Sequence, residues 1–230
     1  MSLSENYQEI KKRVNESLQR SVDPKKDVEI VAVSKTVSVA QINEAIELGI
    51  SHFGENKVQE MVSKMDKVQP SVNWHMIGHL QRNKVKYIVD EVSLIHSLDS
   101  ISLLEEINRR ASVASRVLDC LIQVNVSGEI SKYGISPSEV YQLMQQMEMY
   151  EHVNVVGLMT MAPYYDDPEK TRDCFMRLNE LFQNCSMKNY PGTEMRHLSM
   201  GMSNDYEIAI QEGSNMVRIG SALFGERNYG

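Results

Sequence analysis

Eight short apolar, β-branched runs recur along the 230 residues, separated by stretches of helical period, and this alternation constrains the fold more than any other feature. The runs fall at residues 30–34, 52–54, 73–77, 94–97, 117–126, 155–159, 195–199 and 217–220. Strands that alternate with helices imply a parallel sheet, since each helix carries the chain back so that the next strand starts at the same edge. Eight such units match the α/β class in its closed form, a single (β/α)8 TIM barrel, better than an open doubly wound sheet of about five or six strands. No Pro/Gly/Ser-rich linker breaks the alternation, so residues 1–230 read as one domain. Leu3, Tyr7, Ile10, Val14 and Leu18 share one face of an extra N-terminal helix ahead of the first strand.

Local signals mark several helix ends. Ser38 with Gln41 forms a capping box, and Gly49 ends the same helix. Val58, Met61, Val62, Met65 and Val68 form a second apolar face, and a third helix is expected over 81–92. Ser136, Pro137 and Glu139 open another, Asp167 and Pro168 open one running to about residue 183, and Gly213 closes the last before strand eight. The methionine-rich run 144–149 reads as a soft core face of its helix.

A net charge of −7, with both signs mixed along the chain, gives no basic patch and excludes nucleic-acid binding as an expectation. Cys120, Cys174 and Cys185 are odd in number and lack histidines at zinc-ligand spacing, so they suggest neither a disulfide framework nor a structural metal. The N-terminus has no apolar signal region and no run reaches membrane-spanning length. A soluble, cytoplasmic protein is expected.

In such a barrel, function resides at the C-terminal ends of the strands and in the loops that follow. Lys35 emerges from the buried run Ile30-Val31-Ala32-Val33, where desolvation favours a neutral, nucleophilic amine suited to carbonyl capture. A lysine snorkelling to solvent fits that segment equally well. Loops after strands seven and eight commonly hold phosphate in this fold, and here Ser199, Gly201, Gly220 and Ser221 bring small residues whose N–H groups can approach an anion. Arg218 lies in an otherwise apolar strand, and a guanidinium inside a barrel requires either a paired carboxylate or a ligand atom. Asn56, His79, Asn125 and Lys132 stand at loop positions where they would line a ligand or cap their own loops.

Taken together, the segments Ala32-Val33-Ser34-Lys35-Thr36, Phe53-Gly54-Glu55-Asn56, Trp74-His75-Met76-Ile77-Gly78-His79-Leu80-Gln81-Arg82-Asn83-Lys84, Gly157-Leu158-Met159-Thr160-Met161, Met200-Gly201-Met202-Ser203 and Val217-Arg218-Ile219-Gly220 resemble the pyridoxal phosphate homeostasis proteins. The match runs in order from about Ile30 to Gly225. The resemblance implies the barrel of the alanine racemase N-terminal domain and pyridoxal 5′-phosphate held on Lys35 as a Schiff base. It also implies a phosphate site near Ser199, Gly201, Gly220 and Ser221, with the ring nitrogen facing Arg218; Asn56, from its loop position, is expected to join these as a cofactor-binding residue. The implied role is regulation of vitamin B6 and amino-acid balance without robust turnover. A carrier that holds the aldehyde reversibly would release it to apo-enzymes, which is the expectation here.

Two other chemistries share Lys35. An amino-acid racemase or decarboxylase would use the cofactor as an electron sink. In the barrel racemases, however, a tyrosine on the second face comes from an additional C-terminal β-domain, and no such domain is legible in these 230 residues. The expectation is therefore slow catalysis at most, and a monomer. A lysine-dependent aldolase acting on a sugar phosphate would use the same amine and the same phosphate loops.

Overall fold

The structure, a computed structural model, describes residues 2–24, 27–68, 72–129 and 132–225. The eight apolar runs form β1 (Glu29–Val33), β2 (His52–Glu55), β3 (Asn73–Met76), β4 (Val92–Leu98), β5 (Leu118–Gln123), β6 (Val153–Met159), β7 (Thr193–Met202) and β8 (Met216–Ile219). Each pairs in parallel with the next, and β8 pairs with β1 through Ile30↔Val217 and Ala32↔Ile219, which closes the barrel. The expected (β/α)8 fold is borne out.

Around the strands lie α1 (Leu3–Leu18), α2 (Val39–Glu47), α3 (Val58–Met65), α4 (Ile101–Val113), α5 (Pro137–Gln145), α6 (Arg172–Ser186), α7 (Tyr206–Gln211) and α8 (Ser221–Phe224). Capping boxes start α2 at Ser38 and α5 at Ser136, as their sequences require. Only four residues long, α8 leaves a gap in the outer ring. The N-terminal helix α1 fills it, packing on α7, α8 and α2 and hydrogen-bonding through the Asn6 amide to the Leu223 carbonyl at 2.9 Å.

Several boundaries depart from the sequence reading; β4 and β6 each start two residues before the expected 94 and 155, and others differ more in kind. The helix expected over 81–92 is a 3-10 turn at Arg82–Tyr87, of whose six residues only Val85 is buried, too little apolar face to hold a longer helix on the barrel. Strand five is shorter than 117–126, because its pairing with β6 ends at Gln123↔Met159 and Val124 beyond it makes a single bridge to Ile135. Strand seven is longer than 195–199 and pairs irregularly on both sides. The helix opened by Pro168 begins with a 3-10 turn, Pro168–Thr171, before α6.

A strand's period of two decides what points at the barrel axis. On β1, Ile30 and Ala32 pack against the helices, whereas Val31 joins Leu94, Leu121, Val156, Met159 and Met216 in a separate cluster inside the barrel. Glu29 and Val33 share Val31's parity and line cavities at opposite ends. Gly157 lets β6 and β7 approach closely: a Cβ there would lie 1.8 Å from the His197 carbonyl oxygen. Among the described residues, no helix is long and apolar enough to cross a membrane.

Candidate functional site at the C-terminal mouth of the barrel

Counting on by two from Val31 and Val33 brings Lys35 to the axis side, just beyond the end of β1. The turn that carries it is strained. Thr36, a β-branched residue, has a left-handed φ of 63°, a conformation that persists only where surrounding contacts impose it. Those contacts are present: the Thr36 N–H donates to Glu60 Oε1 at 2.5 Å, and Lys64 Nζ donates to Glu60 Oε1 at 2.7 Å, to Glu55 Oε1 at 2.8 Å and to the Ser34 carbonyl at 2.8 Å. The Ser34 hydroxyl also donates to Glu55 Oε1, at 2.7 Å. Lys64 and Glu55 are both buried between β2 and α3, and burial pushes the Glu55 carboxyl up while Lys64 and Ser34 pull it back. Lys35 therefore stands on a fixed ionic platform and takes no part in it.

Above the platform a cavity of about 250 Å³ opens between the loops. Its lining includes Lys35, Asn56, Arg218, Gly220 and Ser221, so five of the seven expected binding residues meet there. Val33, Ile77, Met161 and Met202 supply apolar walls. Arg218 is 3% exposed; it donates from Nη1 to Ser199 Oγ at 2.6 Å and from Nη2 to the Thr160 carbonyl at 2.8 Å. Burial pulls the guanidinium down to about 10, opposed by nearby Asp205, which leaves it a cation at neutral pH. Its partners are a hydroxyl and a carbonyl, so the sequence alternative of a hydrogen-bonded carboxylate is not realised.

The remaining two expected residues sit lower. Ser199 is buried beneath Arg218 as its acceptor, because its parity on β7 points it at the axis one layer below the mouth. Gly201 is also buried; at φ 92° it turns the end of β7, where a Cβ would come within 2.6 Å of Ala209 Cβ. Ser203, which follows that turn, lines the cavity and accepts from the N–H groups of Gly220 at 3.1 Å and Ala222 at 3.2 Å, so it marks donors at the start of α8. His79 lies outside this cavity, in a neighbouring groove, stacked on Tyr133 at 4.4 Å and 3.2 Å from Asp99. Asn125 staples its own loop to Gly128 and Glu129, and Lys132 Nζ reaches the Ala162 carbonyl at 3.4 Å.

Sequence reasoning missed a column of polar groups under Arg218. His96 Nδ1 is 3.1 Å from Ser199 Oγ, its Nε2 is 2.9 Å from His75 Nδ1, and His75 Nε2 is 2.9 Å from His52 Nδ1. Burial holds His75 down to about 3 and His96 well below the usual imidazole range, so both stay neutral and each has one ring nitrogen to donate and one to accept. The signal was available: a polar residue in mid-strand, the argument that singled out Arg218.

The alanine racemase N-terminal domain family matches residues 3–228 of this chain. The pyridoxal phosphate homeostasis protein of Aquifex aeolicus is 40% identical over 230 residues, covering the whole of both chains. That of Pasteurella multocida is 35% identical, over all of this chain and 99% of its own. Among solved structures, PipY of Synechococcus elongatus with pyridoxal phosphate bound superposes with a TM-score of 0.81 at 31% identity, over 97% of this chain and all of that one.

Proposed function

This chain belongs to the pyridoxal phosphate homeostasis family, built on the alanine racemase N-terminal barrel, and on that premise we propose that it binds and buffers pyridoxal 5′-phosphate at the C-terminal mouth. The observation that carries the reading is one cavity lined by Lys35, by the buried Arg218 and by Gly220 and Ser221 at the start of α8. That donor set fits the cofactor: a carbonyl-reactive amine, a cation, phosphate-binding N–H groups and apolar walls for a flat ring. The cofactor supplies an aldehyde that condenses reversibly with a primary amine, and in this site the amine is Lys35. Gly220, Ser221 and Ser203 would hold the phosphate, Asn56 would flank the ring, and Arg218 would face the ring nitrogen. Ser199 and Gly201 act one step back, the first by holding Arg218 and the second by shaping the loop.

Arg218 also favours a carrier over a racemase or decarboxylase. A guanidinium that remains positive cannot hand a proton to the ring nitrogen, which leaves the cofactor a poor electron sink. The chain would thus act as one cytoplasmic, monomeric cofactor-binding domain over residues 1–230 that releases its cargo to apo-enzymes.

The experiment is reconstitution with the cofactor followed by borohydride reduction. The parent protein is expected to turn yellow, to bleach on reduction and to carry the label on Lys35, whereas Lys35→Ala folds normally and stays colourless. A colourless parent, or label at another lysine, overturns the assignment.

A further inference from the structure

The polar column ends at the opposite mouth of the barrel in a cluster that the cofactor site does not use. Glu29 on β1, His52 on β2 and His75 on β3 bring Oε1, Nδ1 and Nε2 to within 4.8 Å of one another. His52 Nδ1 lies 2.7 Å from Glu29 Oε1 and 2.9 Å from His75 Nε2, and the third edge of the triangle, His75 Nε2 to Glu29 Oε1, is 3.9 Å. Zinc bonds of about 2.0–2.1 Å in a tetrahedron require ligand atoms about 3.3 Å apart, and the three edges bracket that spacing.

Hydrogen bonding alone leaves the cluster incomplete. His52 Nδ1 has a single in-plane direction but two close neighbours, and the N–H geometry serves His75. Glu29 Oε1 is buried, and its contact at hydrogen-bonding distance is that same His52 nitrogen, which His75 also claims. Among the described residues, only His52 and His75 lie within ion-pairing distance of this carboxylate, so no lysine or arginine balances it. One cation among the three atoms would satisfy both the carboxylate and the crowded nitrogens.

From this convergence we infer that Glu29, His52 and His75 form a site for a divalent transition-metal ion of the zinc type at the N-terminal end of the barrel. The ligand set, two imidazoles and a carboxylate, suits zinc and its first-row neighbours. A cavity of about 130 Å³ leaves the fourth position open, and its lining adds His197 and Asp119. The second shell is in place: the other ring nitrogen of His75 is held by His96, as metal-ligating histidines require. With Nε2 on the ion, the proton of His75 sits on Nδ1 and donates to His96 Nε2. His96 then donates from Nδ1 to Ser199, the residue that holds Arg218. Occupancy at one end would therefore set the direction of the two hydrogen bonds that lead from His75 to Ser199.

The test is calorimetric titration of the full-length, chelator-treated protein with Zn2+, with Co2+ absorption as a second readout. One ion per chain is expected, with the intense visible bands of four- or five-coordinate cobalt. Glu29→Gln and His52→Gln should each weaken zinc binding by more than about tenfold. Both side chains are about a quarter exposed, at 27% and 28%, so the metal-free variants should melt with the parent, whereas buried His75 is left intact. His79→Gln at the other mouth should bind as the parent does. No saturable binding, unchanged affinity in both variants, or a loss in His79→Gln instead would overturn the site. None of these outcomes depends on the cofactor, so failure here leaves the Lys35 assignment standing.

Discussion

Replacing Lys64 by Met keeps most of the side-chain volume but removes the ammonium that joins Ser34, Glu55 and Glu60 beneath the Lys35 turn. Breaking a buried ion pair by deleting one partner costs about 3–5 kcal/mol, since the other charge is left in a low dielectric. Glu55 can escape by taking up a proton. At pH 7 that route costs at most about 3.7 kcal/mol, from a carboxyl reference near 4.3 at about 1.36 kcal/mol per unit. The expected loss is thus about 3–4 kcal/mol at pH 7. Burial already holds the folded-state pKa of Glu55 above its unfolded value, and it rises further once Lys64, its main opposing contact, is gone. A raised folded pKa gives stability that is present below the unfolded value and is lost as pH rises through the folded one. The penalty should therefore shrink by about 1.4 kcal/mol per unit as pH falls, to about 1 kcal/mol at pH 5. Urea denaturation of parent and variant at both pH values measures it, and the double variant with Glu55→Gln should regain part of the loss. A penalty below about 1 kcal/mol at pH 7, or one equal at both pH values, would refute the buried-pair argument.

Ser199→Ala removes the 2.6 Å acceptor of a buried cation, and should lower stability by about 1.5–3 kcal/mol and weaken cofactor binding by loosening Arg218. Unfolding midpoints and cofactor titration would report both effects; unchanged values would mean that the Thr160 carbonyl suffices to hold the guanidinium. Gly157→Ala places a Cβ 1.8 Å from the His197 carbonyl on the neighbouring strand, which forces β6 and β7 apart. A loss of more than about 4 kcal/mol, or failure to fold, is expected by thermal melting, and a well-folded variant within about 1 kcal/mol of the parent would contradict the tight β6–β7 approach.

The chain's own pattern determined the barrel, because apolar period and capping residues act within a few residues of each other. Ser38 with Gln41 and Ser136 with Glu139 start helices wherever the chain lies. Where the local signal was ambiguous, as in the polar stretch between β3 and β4, tertiary space chose a 3-10 turn over a helix. The candidate site was legible in part for the same reason. Lys35 at a strand end and Arg218 inside an apolar strand are each odd in their own few residues, and odd residues can be picked out without knowing their neighbours.

What only the tertiary structure decided is which odd residues meet. Parity tells that His75, His96, Ser199 and Arg218 face the axis, but their contact depends on the stagger between strands, with partners 19 to 103 positions apart in the chain. Lys64 reads from sequence as one more solvated helix residue, yet packing of α3 on β2 buries it against Glu55 and makes it the foundation of the Lys35 turn. Glu29 and His52 likewise read as polar residues at strand starts, until closure of the barrel brings them against His75. Local pattern records what each segment becomes; the meeting of segments depends on barrel closure, which no short stretch of sequence contains.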